Sequence, residues 1–87
     1  MNLNYLADLI GSQGVAIGHI LSEMAKGGSS VLLNWGEDDN LWECSWITSG
    51  VRFTAFEADA ETAVRVCAKK VIDEVTRRRN VERIGEG

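Results

Sequence analysis

The sequence predicts an α+β domain of order α-β-β-β-α, a three-stranded antiparallel sheet with two helices packed on one face. Three observations point to it. Apolar residues recur at helical spacing near both ends of the chain, strict alternation runs through its middle, and turn-forming clusters separate the alternating segments. Eighty-seven residues, 45% hydrophobic and 25% charged, match a single globular domain over residues 1–87. At that size the core is thin and a large internal pocket is hard to accommodate, so binding surfaces are expected on the outside.

The first helix is expected over 3–26, where Leu3, Leu6, Ile10, Ile17, Leu21 and Met24 form one stripe widened by Leu9 and Ile20. Gly11, Gly14 and Gly18 interrupt it, each costing about 0.8–1 kcal/mol relative to alanine. They either break the helix near Gly11–Gly14 or let another element approach bare backbone; the second reading is adopted, giving one continuous helix. Gly27-Gly28-Ser29-Ser30 is expected to end it.

Strands are expected at about 31–35, 41–48 and 51–57. A two-residue turn at Ser49-Gly50 sets Trp46 opposite Phe53 and Cys44 opposite Ala55. A four-residue turn at Glu37–Asn40 sets Trp35 opposite Trp42 and Leu33 opposite Cys44. Both hairpins put Val31, Leu33, Trp35, Trp42, Cys44, Trp46, Val51, Phe53 and Ala55 on one inner face, with Asn34, Glu43, Ser45, Arg52 and Thr54 pointing away. Asp59 reads as the N-cap of a second helix over 60–79, whose stripe is Val64, Cys67, Ala68, Val71 and Val75. Glu61, Arg65, Lys69, Asp73 and Arg77 make its solvated face, Arg77–Arg79 complement the helix dipole, and residues 80–87 should fray.

If both helices bury their stripes on the inner face, the outer face stays open and displays Leu32, Leu41, Ile47 and Phe56. This apolar patch is one interaction candidate; the carboxylates are the other. Residues 1–61 carry nine acids and two bases, residues 62–87 seven bases and four acids, for a net charge of −4. The acids Glu37, Asp38, Asp39 and Glu43 gather near one end of the sheet and favour a basic partner. The same balance argues against binding nucleic acid through its phosphates.

The chemistry-bearing residues favour structural roles. The chain's one histidine, His19, lies on a helix with no local motif, and Cys44 alternates inward between Trp42 and Trp46, so no nucleophile–base pair assembles and a non-enzymatic role is expected. Glu37–Asp39 lack the alternate ligand spacing of a calcium loop, Gly11–Gly18 lacks the endings of a phosphate loop, and two cysteines form no framework. No metal or cofactor is expected. With no basic flank or long apolar run at the N-terminus, the cytoplasm is the expected compartment, the host's if the chain is phage-encoded.

The element order resembles that of double-stranded-RNA-binding domains, but Glu57, Asp59 and Glu61 stand where those domains present lysines to phosphate. Small size, acidity, a bare αβ scaffold and the lack of a catalytic motif together resemble small phage-encoded inhibitors of host defence, of the anti-CRISPR type. That resemblance implies a chain that blocks a nucleic-acid-binding or assembly surface of a defence complex, with Asp38, Asp39 and Glu43 as first contacts and Glu37, Leu32, Ile47 and Phe56 beside them. The alternatives are a homo-oligomer, possible as a dimer, that covers Leu32, Ile47 and Phe56 by pairing sheets or edge strands, and a nucleic-acid module using Arg77, Arg78, Arg79 and Arg83.

Overall fold

The computed structural model describes residues 3–26 and 29–86, with side chains as far as Asn80. The element order is α1 (Leu3–Gly11), α2 (Ile17–Ala25), β1 (Ser30–Gly36), β2 (Leu41–Thr48), β3 (Val51–Glu57) and α3 (Ala60–Glu86). The class is α+β with a three-stranded antiparallel sheet, but the helices number three rather than two.

The expected helix over 3–26 is two helices. Ser12 turns its hydroxyl back onto the Asp8 carbonyl at 2.7 Å, Gly14 adopts φ 81°, and Ala16 is extended ahead of α2. A left-handed glycine cannot continue a right-handed helix, so the summed glycine cost breaks it here. The close-approach reading fails as well, because a Cβ built on Gly11, Gly14 or Gly18 meets nothing within 4 Å. The Gly27-Gly28 part of the expected stop lies outside the described residues. At the other end α3 continues to Glu86, through most of the segment expected to fray.

The sheet has the register that the two turns require, with strand order β1-β2-β3. Trp35 faces Trp42, Leu33 faces Cys44 and Val31 faces Trp46; across the other hairpin Trp46 faces Phe53 and Cys44 faces Ala55. Ser49 (φ 52°) and Gly50 (φ 75°) are both left-handed, as a tight hairpin turn that follows the sheet's twist demands. The longer turn closes through the Asn40 amide donating to the Gly36 carbonyl at 2.9 Å.

Helix α3 lies across β2 and β3, α2 reaches β1, and α1 packs on α3 and α2. Beneath them Leu6, Leu9, Ile20, Met24, Cys44, Trp46, Ala55, Val64, Cys67 and Val71 form the buried core. Two residues expected inside are largely exposed, Trp35 at 39% and Val51 at 38%. Both sit at sheet corners, Trp35 in β1's penultimate position beside the acidic turn and Val51 at the start of β3, while the helices cover the sheet's middle; Trp35 leans on Trp42 with ring centroids 5.3 Å apart. The free edge strand β3 carries a lysine guard, Lys70 Nζ donating to the Thr54 carbonyl at 2.7 Å.

Asp59 caps α3 as its position predicts, its Oδ2 accepting from the Thr62 amide at 3.0 Å and the Thr62 hydroxyl at 3.1 Å. Asp59→Ala is expected to lower stability by about 1 kcal/mol in urea unfolding, while Asp59→Ser stays near wild type.

Near the far end of α3, Glu74 accepts from Arg77 at 2.7 Å and from Arg78 at 2.9 Å. These two guanidinium groups lower the Glu74 pKa from 4.5 to about 2. The folded value lies below the unfolded one, so this cluster's contribution is intact above pH 4.5 and is lost as pH falls toward 2. Wild type should therefore lose helical signal between those values by an increment that Glu74→Gln lacks in parallel circular dichroism titrations.

Candidate protein-docking surface

Alternation along three paired strands sorts the sheet's side chains into two sets. The inner set faces the helices, fully covered at Cys44, Trp46 and Ala55 and exposed at the corner residues Trp35 and Val51. The outer set, from Ser30, Leu32 and Asn34 through Leu41, Glu43, Ser45 and Ile47 to Arg52, Thr54 and Phe56, has no helix packed over it among the described residues. Leu32 is 57% exposed, Phe56 54% and Ile47 37%, whereas Leu41 is half-buried. The expected open face is present, with Leu32, Ile47 and Phe56 exposed on it.

The register distributes these residues in a way that strand alternation alone leaves unstated. Leu32 stands opposite Ser45 and hence diagonal to Ile47; Phe56 stands opposite Glu43 and diagonal to Leu41. The face thus carries two apolar pairs, not one continuous patch. Between them runs a polar row. Ser45 donates its only hydroxyl proton to Glu43 Oε2 at 3.1 Å, so the 3.2 Å contact with Thr54 has Thr54 as donor. The result is a relay from Thr54 through Ser45 to the Glu43 carboxylate. Ser45 itself is buried although it faces outward, because on the central strand Leu32 and Thr54 flank it from both sides.

The acids separate into those with partners and those without. Glu57 pairs with Trp42 and so belongs to the helix-bearing side, the Asp59 carboxylate is used in capping, and Glu61 holds Arg65 at 2.9 Å. Glu37, Asp38 and Asp39 are exposed in the turn with no ionic partner among the described residues. Glu43 lies two residues into β2 from that turn. The four acids expected to meet a partner are therefore contiguous with the Leu41–Phe56 pair, while Arg52 sits at the opposite end of the face beside Ile47.

The other chemistry-bearing groups take quiet positions. His19 is exposed, its Nε2 2.9 Å from the Tyr5 hydroxyl, which ties α2 to α1. Cys44 and Cys67 are free, fully buried thiols, and Cys67 Sγ reaches the Phe53 carbonyl at 3.4 Å. The neighbouring Cys44 thiol and burial push the Cys67 thiol far above its usual range, the opposite of what a nucleophile needs. Among the described residues there is no group of three or more His, Cys, Asp or Glu arranged to hold a metal ion, and no helix long and apolar enough to cross a membrane.

Two features escape sequence reasoning. Arg65, placed on the solvated face by its spacing, instead donates from Nη1 to the Ile10 carbonyl and, at 3.4 Å, to that of Leu9, holding the end of α1. A cleft of about 130 Å³ opens between the Ser49-Gly50 hairpin and α3, lined by Thr48, Val51, Phe53, Val71, Val75 and Arg78 among others. Neither has a local signature, since each depends on elements far apart in the chain. Comparison with known protein families, with curated protein sequences and with solved structures finds no match.

Proposed function

We propose that this chain is a protein-binding inhibitor of the anti-CRISPR kind that its sequence resembles. It docks its open sheet face and adjoining acidic turn onto a basic, nucleic-acid-binding surface of a partner complex. The observation that supports this reading is the Glu43 carboxylate, oriented by Ser45 on the face that exposes Leu32, Ile47 and Phe56. A carboxylate already fixed in place loses little side-chain entropy on meeting an arginine or lysine, and flanking apolar side chains exclude water from the contact. Glu37, Asp38 and Asp39 extend the same charge to the rim, where it speeds encounter with a cationic surface. Carboxylates seated on the cations that otherwise hold phosphate would block the nucleic acid by occupancy.

The test is affinity capture with the tagged chain, identification of the retained complex, and measurement of binding with purified components. D38K/D39K/E43K is expected to weaken binding by at least about tenfold, mainly through slower association at low salt. L32S/F56S is expected to act mainly on dissociation. Unchanged affinity in the charge-reversed variant rejects the reading.

A further inference from the structure

The molecule extends 49 Å along its longest axis and has an acid-rich pole and an arginine-bearing one. The pairing of Trp35 with Trp42 and of Trp42 with Glu57 sets the Glu37–Asn40 turn, the end of β3 and the start of α3 at one pole. The Ser49-Gly50 hairpin and the second half of α3 form the other, because Thr48, Ser49 and Val51 share a cleft with Val71, Glu74, Val75 and Arg78. From Arg78 the helix runs on to Glu86, about 12 Å further at 1.5 Å per residue.

Thr76, Arg77, Arg78, Arg79 and Asn80 are all exposed, five consecutive residues that span more than one full helical turn. Arg77 and Arg78 share one carboxylate, that of Glu74, and Arg79 has no ionic partner among the described residues. The result is a cluster of three arginines, two of them on one carboxylate, beside a partly apolar cleft.

We propose that this end of α3 docks against the acidic pole of a second copy, in an antiparallel two-fold pair. Charge complementarity selects the occupant. Glu37, Asp38 and Asp39 at one pole lack ionic partners among the described residues, as Arg79 does at the other, and the two poles lie at opposite ends of β2 and β3. An antiparallel pair satisfies both poles of both copies at once and closes, whereas a head-to-tail contact would leave one pole bare at each end. A nucleic acid fits less well, because the rest of the molecule, with a net charge of −4 overall, repels it. The contact uses the same turn acids as the proposed inhibitory docking, so the two compete, and it is tested on the purified chain alone.

Sedimentation velocity over a wide concentration range, at about 0.02 M and about 0.5 M salt, reads it out. Wild type is expected to dimerise at low salt with a dissociation constant at least about tenfold below that at high salt. R77E/R78E/R79E and E37K/D38K/D39K should each be monomeric, and their equimolar mixture should dimerise again. Circular dichroism checks that both variants fold. R79E, which loses no ionic partner within the described residues, should weaken the dimer several-fold if the triple variant unfolds. A wild-type chain that stays monomeric at low salt overturns the proposal. So does failure of the mixture to re-form the dimer from folded variants, or retention of duplex DNA by the arginines without self-association.

Discussion

Replacing Trp46 by alanine is expected to lower stability by about 3–5 kcal/mol, the range for removing a large buried aromatic side chain. Trp46 is fully buried at the middle of the central strand, opposite Val31 on one side and Phe53 on the other, and it joins the sheet to the helical layer. A chain of this size has about 4–13 kcal/mol of stability, so the loss is a large share of the total. The indole also has a cost of its own. Its Nε1 is buried with no acceptor among the described residues, and a buried unsatisfied donor costs about 1–3 kcal/mol. Trp46→Phe removes that donor while keeping most of the apolar volume, and it should stay within about 1 kcal/mol of wild type. Urea unfolding of both variants checks the pair, and a phenylalanine variant as unstable as the alanine one would show that the indole nitrogen is satisfied.

Arg65→Ala is expected to cost about 2–3 kcal/mol, more than any ordinary helix-surface pair, since hydrogen bonds from a charged donor contribute about 1.5–3 kcal/mol. Its Nη1 serves the Leu9 and Ile10 carbonyls, two of the last groups of α1 that have no partner within their own helix. Its Nε donates to Glu61 Oε1 at 3.0 Å; Nη2 lies 2.9 Å from the same oxygen at an angle too poor for a hydrogen bond, so that contact is ionic only. One side chain thus caps α1 and joins it to α3, across a gap that Leu6 and Leu9 otherwise close by packing. Arg65→Lys keeps the charge but not the fork, and it should fall between wild type and alanine. Hydrogen exchange gives the specific readout: amide protection in α1 should drop in Arg65→Ala before that of β2 changes. Equal loss in both elements would mean that Arg65 acts through global stability and not as the α1 clasp.

The sheet was legible in the sequence because two independent turns constrained a single register, and strand alternation then fixed which side chains share a face. Asp59 was legible for a similarly local reason, a cap needing only its own helix's first turn. The first helix misled because the cost of its glycines competes with a continuous apolar stripe, and the balance depends on what packs nearby; nothing approaches those glycines, so the break at Gly14 wins. Trp35 misled because alternation assigns a face but says nothing about where the helical layer ends. Within the candidate site, Leu32, Ile47, Phe56 and Glu43 were readable from alternation. Their division into two pairs, and the relay through Ser45, required the stagger between strands. Arg65 was unreadable because a spacing of four residues from Glu61 already explains it locally, and its second role spans 55 residues of chain.

Under the proposed docking, Glu43 and the turn carboxylates meet a cationic partner. Carboxyl footprinting tests it most directly, with carbodiimide-driven amide labelling of the free chain and of the captured complex read out by mass spectrometry. Labelling at Glu37, Asp38, Asp39 and Glu43 is expected to fall in the complex while Asp73, on the opposite helical layer, labels as before. Protection of Asp73 with the four sheet-end acids still fully labelled would contradict it.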